Sequence, residues 1–379
     1  MVIYPCDWEV TTVDKVADIN TGRRNTQDNK PNGRYKFFVR SPIVERIDVA
    51  DYDCEAVLTA GDGNAGKVFH YVNGKFSAHQ RVYIINNFRN ISGRFFYYYF
   101  SRYFIDEVRK YTAKSTVDSV RRPMIANMLI PLPPLKEQTA IAETLATFDT
   151  HITNLTELIT KKKAIRDGAL DELMTGRTRL KGFCGDWEVK RLLDCVRLVQ
   201  GLTYAPNNVS SYGTLVLRSS NIQDNSLSLE DNVYVNMQIA QEKMIQEGDI
   251  LVCVRNGSSD LIGKSCRLPA LSNTTFGAFM SVLRGDKTGY IAKIFNSLIV
   301  QKQVRNRTSA TINQITKKDF EDIIIPLPPL DEQIAIADTL SALDKEISSL
   351  ETERAKISQI RDGAINDLLT GKVRLKIGI

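Results

Sequence analysis

The sequence predicts an α+β chain: two mixed α/β domains joined by two long antiparallel coiled-coil helices, with the halves related by a pseudo-two-fold. Three observations predict it. One block of residues occurs twice, a β-rich segment precedes each copy, and an apolar heptad seam runs through each copy.

The repeat comes first, because it sets the architecture before any motif does. Residues 130–138 read IPLPPLKEQ and residues 325–333 read IPLPPLDEQ. At the same spacing AIAETL (140–145) meets AIADTL (335–340), and IRDGA (165–169) meets IRDGA (360–364). LMTG (173–176) meets LLTG (368–371), and RLK (179–181) meets RLK (374–376), all without a gap. A second mark, DWEV, stands at 7–10 and again at 186–189. The predicted domains are therefore 1–134 and 177–329, each followed by a shared segment, 135–176 and 330–379.

Within the variable domains KFFV (36–39), AVLTA (56–60), RVYII (81–85), TLVLR (214–218) and DILVCV (249–254) read as strands between Gly, Asn and Asp clusters. Each domain closes with a helix, predicted over 94–104 and over 289–304. In the first, Phe96, Phe100, Tyr103 and Phe104 recur at helical spacing, which favours a core face over a base-stacking surface.

In the shared segments Pro131, Pro133 and Pro134 impose an extended backbone, since proline disfavours helix in the residue before it. A helix then begins. Its seam is Ile141, Leu145, Phe148, Ile152, Leu155 and Ile159 in one copy, and Ile336, Leu340, Leu343, Ile347, Leu350 and Ile357 in the other. Each stops at Thr-Gly, a C-cap signal. Helices of roughly 58 Å need a partner to pack on, and each is predicted to find it in the other. Gly168 and Gly363 inside them read either as tolerated or as points of close backbone approach.

Composition is that of an ordinary globular protein, 43% hydrophobic and 25% charged, with a net charge of +6. That charge permits nucleic-acid binding without requiring it. The six cysteines form no CxxC pair and there are three histidines, so no metal site is predicted. The N-terminus lacks the pattern of a signal peptide, and no apolar run reaches the length of a membrane span.

The order variable–shared–variable–shared, with I-P-L-P-P-L-x-E-Q, A-I-A-[ED]-T-L and I-R-D-G-A…T-G in both copies, resembles the DNA specificity subunit of type I restriction-modification systems. The resemblance covers essentially the whole chain. It implies two target recognition domains that each read one half of a bipartite double-stranded DNA sequence. It also implies helices that set the spacer and bind two methyltransferase subunits, to which restriction and translocase subunits join. The chain itself is then non-catalytic and prokaryotic cytoplasmic. S-adenosylmethionine, ATP and Mg2+ belong to the partner subunits, with no cofactor in this chain.

Candidate DNA contacts follow. Two strand-to-loop segments end in Gly-Lys, LTAGDGNAGKVF (58–69) and LVCVRNGSSDLIGKSCRL (251–268). Both miss the phosphate-binding loop pattern in spacing or in the final Ser/Thr, so nucleotide binding is rejected. They can still present Asn64, Lys67, Arg255, Asn256 and Lys264 to DNA. Gln80 and Arg81 have the chemistry to read adenine and guanine. The positions matched to Ala78–Arg81 in the other domain are taken as Ala278, Phe279, Met280 and Ser281. A basic run with Arg23, Arg24, Arg34 and Lys36, and Arg305 and Arg307 in the second domain, are candidates for phosphate contact. No methyltransferase or nuclease motif is found. The competing reading is a coiled-coil scaffold whose globular ends bind proteins.

Overall fold

The computed structural model describes residues 4–111, 119–307 and 313–376. The chain divides into two compact units, residues 1–156 with 352–379, and residues 157–351.

In the first unit a six-stranded sheet runs in the order β2 (Asp18–Thr21), β7 (Val82–Asn86), β5 (Tyr52–Ala60), β6 (Phe69–Ala78), β3 (Tyr35–Phe38), β4 (Val44–Ile47), antiparallel except for β3 with β6. Alternation along the strands sorts its faces. Val57 and Ile85 enter one core with the closing helix, while Ala56, Leu58 and Ile84 enter a second with Phe38 and Phe76. The sheet curls: Gly22 N donates to Val82 O, and Arg23 N and Arg24 N both donate to Ala78 O. The curl leaves no room at Gly22, where a Cβ would lie 2.2 Å from Ala78 O.

The closing helix spans Gly93–Lys110, with the Ser92 side chain accepting from Phe95 N as its N-cap. Phe96, Phe100 and Phe104 are wholly buried, and Tyr103 packs partly buried at the edge of the same core. The aromatic stripe is core.

The second unit carries two four-stranded sheets. One is ordered 197–200, 280–284, 250–253, 265–267; the other 209–210, 233–235, 214–217, 274–276. The five strand runs read from the sequence appear in the two units within a few residues. The helix predicted over 289–304 is instead two, Tyr290–Phe295 and Leu298–Arg307. Two polar side chains break it. Asn296 Nδ2 bonds back to Ala292 O, and Ser297 Oγ donates to Ile294 O while Ser297 O accepts from Gln301 N.

The long helices span Leu135–Thr175 and Leu330–Leu369. In the first unit Ile141, Ala142 and Leu145 share a core with Ile365, Leu368 and Leu369. In the second, Leu173 and Met174 share one with Ile336 and Leu340. In each unit the start of one helix therefore meets the end of the other, an antiparallel pairing. Leu155, Ile159 and Ile347 are buried; Phe148, Ile152, Leu343, Leu350 and Ile357 are half-buried. Where the apolar seam breaks, ion pairs replace it. Arg361 Nε meets Asp149 Oδ1 at 2.5 Å in the first unit, and Arg166 Nη1 meets Asp344 Oδ1 at 2.9 Å in the second, the same pair by repeat position. Lys162 and Lys163 pair with Glu346 and Glu351, each at 2.7 Å.

A Cβ built at Gly168 or Gly363 meets no atom within 4 Å, so neither glycine serves helix–helix approach within the chain. Gly168→Ala is expected to raise stability by about 1 kcal/mol, the helix-propensity difference alone. An unchanged or lowered denaturation midpoint would contradict this.

The remaining repeated marks converge on one lock per unit. The strand that DWEV leads into, β1 (Glu9–Thr12), pairs antiparallel with β8 (Leu129–Leu132), and Glu188–Arg191 pairs likewise with Ile324–Leu327. Proline fits there because a two-stranded ribbon has edges on both sides. Trp8 Nε1 donates to Glu137 Oε2 (3.3 Å), while Arg374 forks onto Glu137 (2.5 and 2.7 Å) and Asp7 (3.0 Å). In the second unit Trp187 Nε1 donates to Glu332 (3.0 Å) and Arg179 forks onto it (2.9 and 2.6 Å). Each arginine also lies over its tryptophan, at 5.6 and 5.8 Å. The Thr-Gly stops contribute Gly371 and Gly176 in the left-handed region (φ 69° and 67°), packed beside Trp8 and Trp187. Beside the lock, Gln138 accepts from Ser92 N (2.8 Å) and donates to Pro133 O (2.9 Å), tying the closing helix to the proline segment.

Candidate nucleic-acid interface

In the first unit the turns after β2, β3, β5 and β6 bring Arg24, Arg40, Asp62, Asn64, Gln80 and Arg81 together. Asp62 is the hub: Arg40 Nη1 donates to Oδ1 and Arg81 Nη1 to Oδ2, both at 2.7 Å. Asn64 Nδ2 donates to Arg40 O, and Gln80 N to Arg24 O. Arg24 itself forks onto Asp51 at 2.8 and 2.5 Å, and Arg23 lies 6.0 Å over Tyr52. Gln80 and Arg81 are exposed. His79 is buried and serves the turn, its Nδ1 accepting from Arg81 N at 3.0 Å.

Arg34 and Lys36 sit apart, in the β3–β4 hairpin at the sheet edge, Arg34 over Tyr35 and Lys36 opposite Arg46. Lys67 lines a cleft of about 520 Å³ with Phe69, Tyr97 and Arg102. Lys264 lines one of about 680 Å³ with Asp260, Asn296 and Arg305. The glycines before these lysines have positive φ (67° and 81°), and a Cβ there would come 2.9 Å from Ile105 and 2.8 Å from Val304. The Gly-Lys turns are thus built to press on the closing helices. Arg307 donates to Gln303 O and Asp322 O, capping local backbone.

In the second unit Arg255 lies 5.3 Å over the exposed Phe279 ring, and Asn256 Nδ2 donates to Ser219 Oγ at 3.1 Å. Hydrogen bonds correct the matching of the two turns. Val82 N donates to His79 O, and Met280 N to Gly277 O. Gly277, Ala278 and Phe279 therefore stand where His79, Gln80 and Arg81 do, two residues earlier than sequence matching gave. Asp62 and Phe279, the partners of Arg81 and Arg255, are not among the candidates read from the sequence; the repeat signal could not find them, because the two domains share neither residue type at those positions.

Charge neighbours shift the titrating groups. Arg40, then Arg81, hold the Asp62 carboxyl below its usual range, and Arg24 does the same to Asp51. Burial pushes His70 down, and pushes His79 down with help from the charges of Arg40 and Arg81. A histidine kept neutral in the fold leaves stability untouched above its unfolded pKa near 6.5 and removes it as pH falls below that value. The depressed carboxyls add stability above about 4 that is lost as pH falls through their folded values. All three histidines of the chain lie in the first unit. Hydrogen exchange is therefore expected to show the first unit loosening as pH falls below about 6.5 while the second holds. Parallel loosening of both would contradict the assignment to His70 and His79.

The chain matches the family model described as type I restriction modification DNA specificity domain, over residues 5–165 and again over 185–359. The EcoKI specificity subunit of Escherichia coli is 30% identical over 205 residues, covering 50% of this chain and 44% of that one. The MjaVIII specificity subunit of Methanocaldococcus jannaschii is 23% identical over 402 residues, covering 98% and 94%. Among solved structures, the S subunit of a type I restriction-modification system from M. genitalium superposes with a TM-score of 0.69 at 17% identity, covering 98% and 97%, a likeness of fold.

Proposed function

Since the chain belongs to the type I restriction-modification DNA specificity family, and matches its domain twice, we propose that its two globular domains read the two halves of a bipartite DNA sequence. The paired helices set the spacer and bind two methyltransferase subunits, through which restriction and translocase subunits join. The chain contributes recognition, and S-adenosylmethionine, ATP and Mg2+ are used by those partners.

The observation that carries this reading is the repetition of one lock around two domains whose exposed turns differ. Trp8–Glu137–Arg374 and Trp187–Glu332–Arg179 repeat almost atom for atom. The turn chemistry does not repeat: Asp62 and Arg81 in one unit, Arg255 and Phe279 in the other. A shared scaffold with dissimilar tips fits a protein that holds two different readers in one setting.

Inserting one or two helical turns between Leu155 and Arg166, with the same insertion in the second helix, is expected to lengthen the spacer and leave both half-sites as they were. Methylation mapping in cells carrying the variant and its partner reads this out. Changed half-sites with the old spacer would sink the reading. Arg23→Ala is expected to weaken binding to all sequences and to lower the salt slope by about one unit. Arg24→Ala should additionally loosen the turn, because it frees Asp51.

A further inference from the structure

The two polar turns share a construction that their sequences hide. Val120 N donates to Gly61 O at 2.7 Å, and Ile315 N to Val254 O at 2.8 Å. Gly61 N donates to Arg81 O at 2.8 Å, and Val254 N to Phe279 O at 3.0 Å. Isolated antiparallel bridges join Asp62 to Ser119 and Arg255 to Gln314. Asp62 and Arg255 therefore occupy one position of the fold, and Arg81 and Phe279 occupy another. In both units the side chains at these two positions meet: as an ion pair at 2.7 Å in the first, and as a guanidinium 5.3 Å over a ring in the second.

We infer that this pair of positions determines base selectivity in each domain, one member reading and the other holding it still. In the first domain Arg81 is the reader and Asp62 the positioning residue. In the second the roles exchange places: Arg255 reads and Phe279 positions. The inference rests on the DNA-reading function proposed above. Its physical basis is the guanidinium fork. Arginine recognises a guanine edge through two parallel N–H donors, which requires a fixed plane. Asp62 engages Arg81 through Nη1, and the exposed side chain keeps further N–H donors for a partner. Asp62 also binds Arg40, so its single charge is shared between two arginines and lowers their indiscriminate attraction to phosphate. Phe279 achieves the same restraint without a charge, its face holding the Arg255 plane. Arg81 and Phe279 are both exposed, as a reading turn requires.

The test uses the full chain assembled with its methyltransferase partner, and selection of bound sequences from randomised duplex DNA, with fluorescence anisotropy across salt concentrations. Lysine keeps the charge of arginine and loses the fork. Arg81→Lys and Arg255→Lys are each expected to lower the ratio of cognate to random binding about tenfold, at one base position of one half-site, with the salt slope unchanged. Asp62→Asn should relax the same half-site as Arg81→Lys, and additionally steepen the salt slope. Phe279→Leu should relax the half-site that Arg255→Lys relaxes. Full selectivity in the lysine variants, or an equal loss of binding to cognate and random DNA, would overturn the inference and leave these arginines as phosphate contacts. Unchanged selectivity in Asp62→Asn and Phe279→Leu would overturn the positioning role. A wild-type complex that selects no sequence would instead sink the DNA-reading function itself, so the two failures are told apart. Near-ultraviolet circular dichroism confirms that each variant retains its tertiary packing.

Discussion

Arg374→Met is expected to destabilise the first unit by about 2–3 kcal/mol. Glu137, only 2% exposed, would lose its charged partner while remaining buried against Trp8. Removing one member of a fully buried pair typically costs about 3–5 kcal/mol, because the surviving charge is left uncompensated. Arg374 is 40% exposed, so water can take over part of its role and the expected cost lies below that range. Asp7, held below the usual carboxylate range chiefly by the Arg374 hydrogen bond, would return toward it. Residue-resolved hydrogen exchange should place the loss around β1, β8 and the two helix ends of the first unit, and leave the second unit as it was. The double variant Glu137→Gln with Arg374→Met should recover part of the loss, since it removes the buried charge as well as its partner. A double variant no better than Arg374→Met alone would show that the cost comes from packing over Trp8.

Gly22→Ala should be at least as damaging to the same unit, at about 3 kcal/mol, the top of the range for overpacking. A Cβ there would sit 2.2 Å from Ala78 O and 2.3 Å from His79 O, and neither is a side chain that can swing aside. The backbone of the β6–β7 turn would have to move, carrying Gln80 and Arg81 with it. Selectivity at that half-site should therefore fall together with stability. Gly201→Ala is the counterpart in the second unit, where the Cβ would lie 2.0 Å from Gly277 O. The contrast with Gly168→Ala is informative, because the same chemical change is expected to stabilise where the added methyl meets nothing. Melting curves of the three variants, with hydrogen exchange to assign the unit, check the set. A Gly22→Ala protein as stable as the parent would mean that the curl of the sheet is looser than these contacts require.

Much of this protein was legible in the sequence, and the reason is local periodicity. The heptad seam from Ile141 to Ile159 reports its helix directly, because apolar residues spaced four and three apart can face one partner only in that conformation. The strand runs, the proline segments and the Thr-Gly stops are equally local signals. The repeat added something periodicity lacks. Marks copied together have to be used together, and the lock shows how: DWEV supplies the tryptophan, the E of x-E-Q its carboxylate, RLK its arginine and Thr-Gly the turn that admits them.

The polar turns were less legible. Their candidate residues Gln80, Arg81, Asn64 and Arg255 could be picked out by chemistry, but the pairing of Asp62 with Arg81 and of Arg255 with Phe279 could not. Those partners sit on different turns, and the two domains share no residue type at equivalent positions, so neither spacing nor repetition connects them. The matching itself slipped by two residues, because a turn's register is decided by which backbone groups pair across it. The split of the helix predicted over 289–304 has the same origin, two polar side chains whose backbone bonds outweigh a good apolar pattern. The sequence by itself determined what repeats along one dimension: two domains, two equal helices, and the marks that join them. Only the tertiary structure decided what depends on contacts between distant residues. These are the glycines that have to be glycine, the charges that neutralise one another, and the side chains left facing outward to read.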